Sequence, residues 1–277
     1  MSPSRANSQL FAVRHLPPTV AVAGARYRLV RVFKHDSFAA TCLYEATGPA
    51  PFEKVVCKFG RTQPFCGLRP AALGRFVRAH EAAIYRVLDG VPGVPRWLGP
   101  VGETGYAIEY LDAVPLDHLP APPPGFFEGL RALFDALHAR GVAYADANKR
   151  SNILVFADGR PGLVDFQIAV RRRDDLPWPL RTLVARCVRY LAEKDLYHLY
   201  KHKRRLAPHE LTAEEDALSR RRSGLHRLHR WLTKPYRALR RGWLRRRYQA
   251  GRLVSPTSQL EDHRQPEKAT WRVRKGG

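Results

Sequence analysis

Apolar and polar positions alternate with a period of two through the first part of the chain. The run Tyr27-Arg-Leu-Val-Arg-Val-Phe33 reads as a half-buried strand. His35-Asp36-Ser37 makes a turn, Ala40 to Glu45 is a second strand, Thr47 to Pro51 turns again, and Lys54 to Phe59 is a third. Three such strands in succession predict an antiparallel meander. The period then lengthens. From Ala71 to Leu88 the spacing puts Leu73, Phe76, Val77, Ile84, Val87 and Leu88 on one helical face, with Pro70 near the start and Asp89-Gly90 at the end. Two further strands, at 95–99 and Gly105 to Leu111, complete a small lobe of five strands and one helix.

Pro115 to Pro124 is a proline-rich connector. Phe126 to Arg140 has the amphipathic spacing of a helix, with Leu130, Leu133, Phe134 and Leu137 facing inward. The short runs Ile153 to Phe156 and Leu163-Val164, bounded by Asp158-Gly159 and Pro161-Gly162, predict a tight hairpin. From Pro177 the pattern is helical and increasingly basic. The expected layout is therefore a leader with one candidate strand at 1–26, an N-lobe at 27–112, a C-lobe at 113–215, a basic amphipathic helical tail at 216–254 and a disordered end at 255–277.

Charge changes this picture more than composition does. With 44% hydrophobic residues, the chain of 277 can bury a core. Its net charge of +23 points to a polyanionic partner: a nucleotide, nucleic acid, an acidic membrane or a phosphorylated glycolipid. Cys42, Cys57, Cys66 and Cys187 form no CxxC pair and have no metal-ligand rhythm, which fits a reducing compartment. The N-terminus lacks the apolar core of a signal peptide, and no run approaches the ~20 apolar residues that span a bilayer. These features predict a cytoplasmic protein, soluble or peripheral on the inner membrane. The heavy use of Arg, Ala and Pro fits a GC-rich bacterial genome.

The candidate chemistry lies between His138 and Gln167. Asp146, Asn152 and Asp165 have the spacing that phosphoryl transfer needs: a base for the attacking hydroxyl, then an amide and a carboxylate to hold magnesium against a nucleotide's phosphates. The hairpin puts Asn152 at the mouth of one strand and Asp165 at the end of the next, so that both can face one cleft. As isolated loop residues, the same side chains would serve as caps and turn formers.

Taken together, these motifs resemble the protein-kinase-like superfamily over roughly residues 27 to 200. The resemblance implies an α+β, two-lobed fold with a small antiparallel-sheet N-lobe plus one helix and a reduced, mainly helical C-lobe. It implies ATP and Mg2+ as cofactors. Lys58 in KVVCKF resembles the strand lysine that meets the phosphates, and Glu81 the helix glutamate that orients it. AIEYL at 107–111 resembles the hinge strand, where the backbones of Glu109 and Leu111 would meet adenine. Asp146 resembles the catalytic base and Lys149 the loop lysine that steadies the transferred phosphate. Asn152 and Asp165 resemble the magnesium ligands, and Asp195 the helix Asp that braces the catalytic loop.

Several positions depart from the pattern. Asn152 follows Asp146 by six residues instead of five, and Lys149 is one position late, consistent with a single insertion between Asp146 and Lys149. Tyr144-Ala145 replaces His-Arg, and Gln167 replaces Gly. His35-Asp-Ser-Phe-Ala-Ala40 stands where a glycine-rich loop belongs; its main-chain amides are expected to cover phosphates less closely than glycine permits. No Ala-Pro-Glu element follows Asp165.

The outline is most similar to the small bacterial lipopolysaccharide-kinase group, whose members phosphorylate core sugars such as heptose or Kdo on a membrane glycolipid. It is also similar to Rio-type atypical kinases in lacking an activation segment. The resemblance implies an ATP-dependent kinase acting on a sugar hydroxyl of a glycolipid. Two alternatives stand beside it, an atypical protein serine/threonine kinase and a pseudokinase that binds a membrane or partner. Residues 219–252, which contain no Asp or Glu, suit an anionic membrane surface, nucleic acid or a solvated helix packed by its apolar stripe.

Overall fold

β-Branched and aromatic residues at alternating positions dominate the first half of the computed structural model, and they form a sheet. The structure describes residues 11–63 and 71–220. These group into two compact units, one of residues 11–79 and 98–110, the other of 80–97 and 111–220.

The first unit is built on six strands: β1 (Thr19–Val22), β2 (Ala25–His35), β3 (Ala39–Ala46), β4 (Lys54–Gly60), β5 (Trp97–Val101) and β6 (Gly105–Glu109), in the order β1-β2-β3-β4-β6-β5. The meander of β2, β3 and β4 is antiparallel as expected. β1 extends the predicted five strands to six by pairing Val20 with Tyr27 and Val22 with Ala25. β4 alternates strictly: Val55, Cys57 and Phe59 enter the core with Tyr27, Val32, Cys42 and Tyr44, which leaves Lys58 on the opposite face. β2 is less regular. Register shifts at Leu29/Arg31 and Val32/Lys34 break its alternation and leave Val30 exposed.

Helix α1 (Ala71–Val87) corrects the predicted apolar face. Ile84 and Leu88 are buried, but Leu73 and Phe76 are 59% and 69% exposed. The cause is a close approach at Gly74, where a Cβ would meet Thr104 Cγ2 at 2.8 Å; Gly60 lies as near, with its own Cβ position 3.3 Å from Gly74 Cα. The Gly74 side of the helix faces β4, which turns Leu73 and Phe76 outward. The grouping into units divides α1 between Ala79 and His80.

In the second unit, β7 (Ala113–Pro115), β9 (Ile153–Phe156) and β10 (Pro161–Leu163) form a sheet in the order β10-β9-β7. β8 (Val142–Ala143) pairs with β11 (Val170–Arg171). The predicted hairpin is β9–β10, with Leu163 opposite Ile153. Helix α2 (Phe126–Ala139) buries Leu130, Leu133, Phe134 and Leu137, the four positions its spacing predicted. Helix α3 (Leu180–Leu206) is different, because Asp195, His202 and Lys203 are buried along with Val188 and Leu199. Lys203 is satisfied by Glu128 of α2, at 2.7 Å, and by Glu215 of α4 (Ala213–Arg220), at 3.0 Å. Cys66, the leader up to residue 10 and the tail beyond Arg220 lie outside the described residues.

Candidate active site

The loop from Tyr144 to Asn152 leaves β8 and enters β9. It turns through Ala145, at φ +64°, and a single 3-10 turn at Arg150–Asn152. The loop brings three of the predicted residues together. Asp146 Oδ2 accepts hydrogen bonds from Lys149 Nζ at 2.6 Å and Asn152 Nδ2 at 2.9 Å. Asp146 and Asn152 are buried, whereas the Lys149 side chain is half exposed. Two cationic or amide donors on one carboxylate oxygen hold that carboxylate in a single orientation.

Asp165 follows β10, and Val164 N–H donates to Asn152 O at 3.1 Å, which ties its strand end to the loop. Asp165 has φ +64°, a left-handed conformation unusual for a residue with a Cβ. The next residue explains how it is held. Phe166 is fully buried between the rings of Tyr85 and Tyr144, both edge-on, at 5.2 and 5.1 Å. The Tyr144 hydroxyl donates to Val164 O at 2.5 Å. Burial first, then the carboxylates of Asp165 and Asp146, raise the Tyr144 phenol well above its ordinary range, so it stays a neutral donor.

Asp195 braces the loop from α3. Its Oδ2 accepts from Tyr144 N–H and its Oδ1 from Ala145 N–H, each at 2.8 Å, and His138 Nε2 lies 3.2 Å from Oδ2. Burial raises its pKa, and the bonds to His138 and the two amides oppose that rise. The inserted segment has its own support. Lys201 Nζ donates to Asn148 Oδ1, and His202 Nε2 lies on Ala147 O, both at 2.9 Å. Burial is the main cause that lowers the His202 pKa from 6.5 to about 4, so the ring is neutral and its Nε2–H donates. Lys201 and His202 did not stand out in the sequence. One signal was present: His202 follows Asp195 by seven residues, two helical turns on the same face.

The remaining predicted residues are placed as follows. Glu81 is fully buried on α1 in the second unit. Lys58, on β4, is opposite Thr41 and Tyr106 in the first unit. Glu109 ends β6 in the first unit, and Leu111 opens the later of the two segments of the second unit.

The turn at 35–40 corrects one expectation. Two of its amides are already engaged within the turn. Phe38 N–H and Ala39 N–H both donate to Asp36 Oδ1, at 2.7 and 2.9 Å, and Arg61 Nη1 donates to Ser37 O at 2.6 Å. Burial pushes the Asp36 pKa upward, but Lys34 at 2.9 Å and the two amides outweigh it and hold the carboxyl below its ordinary range. An Asp two residues before an amide is the sequence sign of such a turn.

The donor set fits magnesium. No group of three or more His, Cys, Asp or Glu among the described residues could hold a metal ion. Magnesium in nucleotide sites takes one or two carboxylates plus phosphate oxygens and does not need a protein cage. Asp165 and Asn152 offer one carboxylate and one amide oxygen, on strand ends tied together.

Many solved structures are similar to this chain, and two of them are of one kinase. The Rio2 kinase from Chaetomium thermophilum aligns at 17% identity with a TM-score of 0.50, over 66% of this chain and 58% of that one. The Rio2 kinase-ADP/Mg2+-phosphoaspartate complex from the same organism aligns at 17% identity and a TM-score of 0.47, over 66% and 56%. The chain thus spans less than two thirds of that kinase's length. No family model matches, and no curated protein matches. The fold is the two-lobed, Rio kinase-like α+β fold, with an antiparallel-sheet N-lobe and few helices.

Proposed function

We propose that this chain is a magnesium-dependent phosphotransferase that moves the γ-phosphate of ATP to an alcohol. The observation that carries this reading is the convergence of Lys149 and Asn152 on Asp146 Oδ2, in a loop whose amides are held by a buried Asp195. Phosphoryl transfer asks little covalent chemistry of a protein. It asks for positioning and for charges placed in advance.

In this reading, Asp146 orients the acceptor hydroxyl and takes its proton as the oxygen attacks the γ-phosphorus. The bond to the bridging oxygen breaks and ADP leaves. Lys149 stabilises charge on the transferred group. Asn152 and Asp165 would hold magnesium, which neutralises phosphate charge when bound. Lys58 is assigned to the phosphates, with Glu81 as its orienting acid, and the backbones of Glu109 and Leu111 to adenine.

The finer reading is an acceptor that is a sugar hydroxyl of a lipopolysaccharide-type glycolipid at the inner membrane face. It rests on the sequence resemblance and on the basic composition, +23 overall. No helix among the described residues is long and apolar enough to cross a membrane. One observation favours a second reading, a nucleotide-binding protein of low turnover: Asp36 occupies two amides of the turn that would otherwise meet phosphates.

The test is transfer from labelled ATP to fractionated lipids, glycans and proteins. Asp146→Ala should lower transfer by at least about a hundredfold and leave ATP binding intact. Asp165→Ala should lose the magnesium dependence of binding as well. Full activity in Asp146→Ala would remove the base assignment.

A further inference from the structure

A cavity of about 330 Å³ opens between α3 and α4, lined by Tyr197, Lys201, Arg204, Arg205, Ser219 and Arg220. Among the described residues that line it, four of the six side chains are cationic and none is acidic. Lys201, Arg204 and Arg205 stand at i, i+3 and i+4 on α3, where like charges repel. The helix dipole favours cations in a last turn. It accounts for Arg204 and Arg205 on α3 and for Arg220 on α4 one helix at a time, but not for the meeting of the two helix ends, with Lys201, at one cavity.

Ser219 is almost wholly buried there, with its hydroxyl receiving Arg204 Nη1 at 2.7 Å and donating to Asp216 O. Asp216 holds Arg220 Nε at 2.9 Å, which fixes the direction of that guanidinium. Arg205 is exposed, and no acid among the described residues pairs with it. The cavity is thus a cationic wall in which Ser219 and Asp216 hold the guanidinium groups of Arg204 and Arg220 in place, and fixed guanidinium groups are the chemistry that recognises a phosphate group.

Lys201 joins this cavity to the catalytic loop. The same ammonium that lines it donates to Asn148 Oδ1 at 2.9 Å, and Asn148 is two residues from Asp146. Two residues of extended chain span at most about 7 Å. We propose that the cavity is an oxyanion subsite that anchors a phosphate group already present on the acceptor. This deepens the phosphotransferase reading and rests on it: the substrate class becomes a phosphate-bearing alcohol, and an earlier phosphorylating reaction must supply it.

The experiment uses the full chain with ADP and magnesium saturating the nucleotide site, titrated calorimetrically with pyrophosphate. Wild type should show saturable binding. The double variant Arg204→Ala/Arg205→Ala should weaken it at least about tenfold, the loss expected for charge-assisted contacts. Arg205→Glu alone should do the same, and it serves if the double variant folds poorly. ADP affinity should not change in either.

A second arm offers a hexose phosphate and the free hexose as acceptors. The variants should raise KM for the phosphorylated sugar and leave kcat, and all turnover of the free sugar, unmoved. In a third arm, vesicles of anionic phospholipid that bind wild type but not Arg205→Glu, and that pyrophosphate displaces, would identify a lipid headgroup as the source of the phosphate. Binding of pyrophosphate without vesicle binding would identify a soluble one. Pyrophosphate affinity unchanged by both variants overturns the subsite and leaves the phosphotransferase reading standing. Wild type that binds pyrophosphate in a variant-sensitive way but does not bind ADP overturns the phosphotransferase reading instead.

Discussion

The loop at 144–152 and the turn at 35–40 both depart from the kinase pattern, and they resolve the departure in opposite ways. The loop in the second unit carries an extra residue and lacks His-Arg, yet its exposed bonding groups are taken up by a distant helix. Asp195 holds the amides of Tyr144 and Ala145, His202 holds Ala147 O, and Lys201 holds Asn148. Within the loop, Asp146 Oδ2 accepts from Lys149 and Asn152. The turn in the first unit meets its own needs: Asp36 accepts from Phe38 and Ala39, so those two amides are occupied. A borrowed scaffold leaves a loop's chemistry available, and a self-capped turn consumes it.

The largest effect should come from breaking the borrowed scaffold at its centre. Asp195→Ala leaves the buried Tyr144 amide, the partly buried Ala145 amide and His138 without their acceptor. The expected loss is about 3–5 kcal/mol of unfolding free energy, the range for removing one partner of a buried charged network. The urea midpoint would measure it, with transfer activity lost at the same time. A variant as stable as wild type would show that the loop does not depend on α3.

The second brace has a signature in pH. The folded pKa of His202 is depressed to about 4 from 6.5, so the unfolded chain binds the extra proton between these values. The contribution of neutral His202 is fully present above pH 6.5 and is lost as pH falls toward 4. The full difference corresponds to roughly 3 kcal/mol. His202→Gln keeps a donor for Ala147 O and does not titrate. It should flatten the slope of urea midpoint against pH over this window and cost about 1 kcal/mol or less at pH 7. An unchanged slope would place the titrating group elsewhere.

How far such features can be read from the chain depends on the distance over which they are encoded. The meander, the β9–β10 hairpin and the buried face of α2 follow from local periodicity, and all stood in the sequence. The spacing of Asp146, Asn152 and Asp165 was legible for the same reason: one loop and one hairpin contain them. The braces were harder, because the partners of Asp195 lie 50 and 51 residues away and that of His202 lies 55 away. Only the resemblance pointed to Asp195, and the single hint of His202 was its place two helical turns after Asp195 on the same face. The outward turn of Leu73 and Phe76 was illegible too. It depends on Gly74 meeting Gly60 and Thr104, a contact that no period in α1 encodes.

The self-capped turn should give the smallest effect, and it decides what the turn is for. Asp36→Ala removes the acceptor from Phe38 N–H and Ala39 N–H. The Asp36 side chain is 34% exposed, so water replaces part of what is lost. The stability cost should be about 0.5–1 kcal/mol, as for other exposed side-chain caps. Because its folded pKa is lowered, the carboxylate contributes above the ordinary carboxylate range and loses that contribution as pH falls below it, so the comparison belongs at neutral pH. If the amides are otherwise fit to meet phosphates, ADP with magnesium should bind Asp36→Ala severalfold more tightly than wild type. Removing one negative charge also favours any anion, so Asp36→Asn is the control: it abolishes the charge but keeps an oxygen that can accept from both amides. Tighter binding in the alanine variant alone would show that the amides matter. Equal tightening in both would reduce Asp36 to a charge, and the turn would then be no reserve of phosphate-binding groups.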